Sequence, residues 1–94
     1  MAFPVKNIRS AYTMFRKLET AMVNERTRGE SRVNGIINQS GIRDFLALDE
    51  NYGDNIRDFA RFLDGQRKNI DANNDGVLTI GETASFLKEQ GLRW

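Results

Sequence analysis

Between residues 71 and 82 the chain reads Asp71-Ala72-Asn73-Asn74-Asp75-Gly76-Val77-Leu78-Thr79-Ile80-Gly81-Glu82. Oxygen-bearing side chains fall at the first, third, fifth, ninth and twelfth places, and a glycine at the sixth. A flexible backbone needs this spacing of hard oxygen donors around a sharp turn in order to wrap a hard cation about the size of Ca²⁺. Magnesium fits less well, because it demands tighter octahedral geometry. A surface turn rich in Asp, Asn and Gly that binds nothing would share the composition. It would leave the placing of Leu78 and Glu82 without a reason.

Other chemistries are poorly supplied. The chain has no cysteine and no histidine, which removes disulfides, thiol nucleophiles, zinc sites of the nitrogen or sulfur kind, and the usual general base near neutral pH. Tyr12, Tyr52 and scattered carboxylates form no visible acid–base pair, so no enzyme is expected. Fourteen basic residues are balanced by thirteen acidic ones with no basic–aromatic motif, so no nucleic-acid partner is expected either. The charge is nevertheless uneven. Residues 1–47 carry eight Lys/Arg against four Asp/Glu, and residues 48–94 six against nine. The basic charges are scattered along helices, which suits a solvated surface better than an acidic docking partner.

The elements that must hold the loop follow from hydrophobic spacing. Ile8, Tyr12, Phe15, Leu18 and Met22 form one stripe of a helix expected over Pro4–Val23, with Pro4 in its first turn and Lys6, Arg9, Arg16, Lys17 and Glu19 off the stripe. Residues 24–39 are polar and carry Gly29 and the turn pair Asn34-Gly35. A second helix is expected from Ser40, as N-cap, to Glu50, burying Ile42, Phe45, Leu46 and Leu48. After the linker 51–54, Asp54 caps a third helix with Ile56, Phe59, Ala60 and Leu63 inward, weakened late by Gly65 at a cost of about 1 kcal/mol. A fourth helix runs from near Ile80 to Gly91, a left-handed stop, with Phe86 and Leu87 inward. No apolar run spans a membrane and no export signal is visible, so the expectation is a cytoplasmic protein or part of a larger assembly. Asn38-Gln39-Ser40 fits a glycosylation sequon, which means little without an export signal.

The two halves repeat weakly at a shift of 41 residues. Gly35 falls on Gly76, Ile36-Ile37 on Val77-Leu78, and Phe45-Leu46 on Phe86-Leu87. Two helix–loop–helix units facing each other are the natural consequence.

With its flanking hydrophobic pattern, the stretch 71–82 resembles the twelve-residue loop of the EF-hand calcium-binding family, D-x-[DN]-x-[DN]-G-x5-E. The resemblance implies an all-α paired EF-hand over residues 1–94: a degenerate hand over 1–50, a calcium-binding hand over 54–94, and a short β contact between the loops. It implies one Ca²⁺, with side-chain oxygens from Asp71, Asn73 and Asp75, the backbone carbonyl of Val77, Thr79 acting through a water, and both carboxylate oxygens of Glu82. Leu78 would pair with its counterpart Ile37 and point into the core. The first loop, Glu30–Gly41, departs from the pattern: Arg32 stands at its third place and Gly41 at its twelfth, so this hand is expected to be empty. Arg67 also stands where the family usually has an aromatic residue, four before the first ligand.

Two roles then compete. In one, calcium stabilises a small interaction or assembly module, such as a component of a multi-subunit particle, with a protein partner the sequence does not name. In the other, calcium opens an apolar groove to a partner helix. Such grooves are often methionine-rich, yet Met1, Met14 and Met22 all lie outside the second half. A single working loop also forgoes cooperativity between sites. Both points favour stabilisation.

Overall fold

The first helix, α1 (Ile8–Asn24), begins four residues later than Pro4 suggests. In the computed structural model, which describes residues 4–24, 36–48, 54–71 and 74–94, the side chain of Asn7 accepts the backbone N–H of Ser10 at 2.7 Å. That bond satisfies a donor with no partner inside the helix, and a short polar side chain sets the start more firmly than proline does. The apolar stripe is as expected at Ile8, Phe15, Leu18 and Met22, widened by Ala11 and Ala21, while Tyr12 is only half-buried. Glu19 is a correction: it is buried. It lies four residues after Phe15, one turn along the same face, so the neighbouring helices cover it.

After α1 the described chain resumes with β1 (Ile36–Asn38) and α2 (Gln39–Leu46). The N-cap of α2 is Asn38, not Ser40: its side-chain oxygen accepts from the backbone N–H and the hydroxyl of Ser40. The helix stops at Leu46 rather than Glu50. Its last carbonyls find a tertiary partner, because Arg57 donates to the carbonyls of Leu46 at 3.3 Å and Leu48 at 3.5 Å. A cation suits the negative end of a helix. The expected turn at Asn34-Gly35, Arg32, Gly29, the helix end at Glu50 and the linker 51–53 lie outside the described residues.

The expected third helix is two pieces, α3 (Asp54–Gly65) and a single turn, α4 (Arg67–Ile70). The break falls at Gln66, directly after the glycine that weakens the helix. Arg67 secures the break by donating to the carbonyl of Asp64 at 2.8 Å. Arg67 thus does a backbone job. Then come β2 (Val77–Thr79) and α5 (Ile80–Glu89), which ends before Gly91 in the left-handed conformation at φ +94°.

The described residues are mostly helical, with a small two-stranded sheet. The strands run antiparallel with Ile36 opposite Thr79, Ile37 opposite Leu78 and Asn38 opposite Val77. Ile37 and Leu78, both fully buried, thus face each other as the internal repeat requires. Around them the α1 stripe packs on α3 and α5, and α2 packs on α3. Ile42, Phe45, Phe59, Leu63, Ile70 and Leu87 complete one cluster drawn from both halves. Among the described residues no helix is long and apolar enough to cross a membrane.

Candidate functional site

The loop begins where α4 ends. The backbone N–H of Asp71 bonds to the carbonyl of Arg67 at 2.8 Å, and the N–H of Asn74 bonds back to the carbonyl of Asp71 at 3.2 Å. Two left-handed residues then reverse the chain, Asn74 at φ +54° and Gly76 at φ +82°. Asparagine is among the few side chains that tolerate this region. A Cβ at Gly76 would meet nothing within 4 Å, so backbone conformation, not space, calls for glycine there.

Asp71 is the hub of this turn. One carboxylate oxygen accepts the N–H of Asp75 at 3.2 Å. The other accepts the N–H of Gly76 at 3.1 Å and the side-chain amide of Gln39 at 2.7 Å. The residue as a whole is only 6% exposed. Burial alone would raise its pKa, but the hydrogen bonds from Asp75, Gly76 and Gln39 outweigh it and hold the group below its ordinary 3.8. Asp71 is thus kept as a buried, oriented anion.

Backbone register decides what Val77 can do. The N–H of Gln39 donates to the carbonyl of Gly76 at 3.2 Å, continuing the ladder one residue beyond the two strands. Hydrogen-bonded pairs alternate with non-bonded ones along an antiparallel ladder. Gln39/Gly76 and Ile37/Leu78 are therefore bonded pairs, and Asn38/Val77 and Ile36/Thr79 are not. The carbonyl of Val77 is left outside the ladder, as a ligand carbonyl must be. The N–H of Val77 turns to Asp75 Oδ1 at 3.2 Å, and that of Thr79 to Glu82 Oε1 at 3.1 Å.

Thr79 and Glu82 form a reciprocal cap on α5, with the threonine hydroxyl accepting the N–H of Glu82 at 3.0 Å. Thr79 therefore serves the helix start. Glu82 serves it with one oxygen only. Its Oε2 is buried and has no hydrogen-bond partner. A buried carboxylate oxygen left unpaired costs about 1–3 kcal/mol or more, so it marks a place where a positive partner belongs. That orphan oxygen, the ladder-free Val77 carbonyl and the buried Asp71 anion all fit a hard cation. Asn73 lies outside the described residues. Among the described residues no three acidic side chains are gathered into one cluster, although the side chains of Asp71 and Asp75 lie close enough to interact. Each of Asp71, Asp75 and Glu82 is also engaged locally by backbone N–H groups.

Gln39 is the residue that sequence reasoning missed. The shift of 41 sets it against Ile80, which suggests no polar role. The signal available was the pairing of Ile37 with Leu78, which carried two residues further sets Gln39 opposite Gly76. Compared with known proteins, the chain matches no family model, no curated protein and no solved structure.

Proposed function

We propose that residues 71–82 form a calcium-binding loop of the EF-hand kind, and that the bound ion stabilises a paired helix–loop–helix module used for interaction or assembly. The observation that carries this reading is the buried, unpartnered Oε2 of Glu82, in a loop where backbone N–H groups already orient Asp71 and Asp75. Asp71, Asp75, Val77 and Glu82 would hold the ion, with Asn73 and Thr79 completing the shell. A bound Ca²⁺ would supply two positive charges against the three carboxylates of one loop.

Stabilisation is favoured over opening because α5 is fastened beyond its far end. The backbone N–H of Ile8 donates to the carbonyl of Arg93 at 2.8 Å. The Trp94 ring stacks on Tyr12 at 5.4 Å, with the Lys88 ammonium 4.9 Å from the indole centroid. Among the described residues the exposed large apolar side chains are Val23, in α1, and Trp94, beyond α5.

Calcium titration followed by thermal melting and by an apolar-surface dye tests the proposal. A rise in melting midpoint without added dye binding is expected. A large dye signal on calcium addition would favour the groove-opening role, and no response to calcium would overturn both.

A further inference from the structure

The N-terminal half, whose own loop has lost its ligands, contributes a residue to the loop of the other half. Gln39 is held from two sides. Its backbone N–H is fixed to the carbonyl of Gly76 at 3.2 Å. Its place at the first position of α2 is fixed by the Asn38 cap. From there its side-chain amide reaches Asp71 Oδ2 at 2.7 Å across 32 residues of sequence. A carboxylate has about four acceptor directions. The N–H groups of Asp75 and Gly76 and the Gln39 amide occupy three on Asp71, which sets the rotation of the group.

We infer that Gln39 is a positioning residue of the cation site: it orients Asp71 and so couples cation affinity to the pairing of the two halves. This rests on the calcium-loop reading above. A neutral amide suits the role because it donates to the carboxylate without bringing a cation that would compete with the ion. Partners of this kind, one bond behind a metal ligand, typically set about 10–100-fold of affinity.

The test is calorimetric titration of the full chain with Ca²⁺, beside its calcium-free melting midpoint, in wild type, Gln39→Ala and Gln39→Glu. Gln39 is only half-buried at a helix start, where alanine is readily accepted. Gln39→Ala is therefore expected to weaken Ca²⁺ binding about tenfold, while the calcium-free midpoint falls only by the loss of one hydrogen bond to Asp71. Gln39→Glu places a second carboxylate against Asp71. It should lower the calcium-free midpoint yet enlarge the rise on adding Ca²⁺, a pair of opposite signs that loss of packing would not produce. Wild-type affinity in Gln39→Ala would overturn this inference alone, as would a smaller calcium-induced rise in Gln39→Glu. A wild-type chain that takes up no Ca²⁺ would overturn the loop reading, and this inference with it.

Discussion

Replacing Glu82 by glutamine separates the two jobs of its carboxylate. The amide keeps a carbonyl oxygen where Oε1 accepts the Thr79 N–H, so the cap on α5 survives. The orphan Oε2 becomes an NH₂ group. Without calcium, removing an unpaired buried anionic oxygen offsets the new unpaired donors, each effect being about 1–3 kcal/mol. The net change should stay within about 1 kcal/mol, which for a domain of this size is about 4–8 °C in melting midpoint. With calcium about a hundredfold above the wild-type Kd, binding adds about 2.7 kcal/mol to the wild type. That corresponds to a rise of about 10–20 °C. Losing one of three charged ligands lowers affinity by about a hundredfold, the step between neighbouring affinity classes of such loops. At the same calcium concentration the increment then falls to about 0.4 kcal/mol, about 2–3 °C. Thr79→Ala is the control. It breaks the other half of the cap at a cost of about 0.5–2 kcal/mol with or without the ion, and keeps most of the calcium increment. The assay is thermal unfolding by circular dichroism in chelator and in calcium. A Glu82→Gln chain with the wild-type increment, or a Thr79→Ala chain that loses it, refutes the reasoning.

Acid should expose the role of Asp71. Its folded pKa lies below the ordinary 3.8, so its hydrogen bonds stabilise the fold fully above 3.8 and are lost as pH falls through the lowered value. In chelator, urea midpoints should therefore fall over that window in wild type and fall less in Asp71→Asn; equal slopes would count against it. At the strand contact, Ile37→Ala and Leu78→Ala should each cost about 2–5 kcal/mol, because both side chains are fully buried. As they face each other, the double variant should cost less than the sum of the two, and urea unfolding showing strict additivity would mean they do not share one contact.

Much of this was legible from local order. Steps of three and four residues placed Ile8, Phe15, Leu18, Met22, Phe59, Leu63 and Leu87 in the core, because a helix buries whichever face its spacing collects. Gly91 marked the end of α5 and Gly65 marked the weakness where α3 gives way to α4, since both effects belong to single residues. Two errors had local causes as well. Asn7 and Asn38 cap their helices in place of the expected Pro4 start and the Ser40 cap, because several polar residues near a helix start compete for the same free N–H groups.

The sequence alone determined the composition of the loop: which oxygens lie within twelve residues, where the left-handed glycine falls, and that Leu78 should find Ile37. Those properties depend on spacing within the loop and on its repeat at a shift of 41 residues. Only the tertiary structure decided that Arg57 meets the last carbonyl of α2, that Glu19 is covered, that Glu82 spends one oxygen on its helix and leaves the other buried and unpaired, and that Gln39 holds Asp71. Spacing cannot settle these. Each depends on which atoms from distant parts of the chain come within about 3 Å, and that is fixed only once strand register and helix packing are set together.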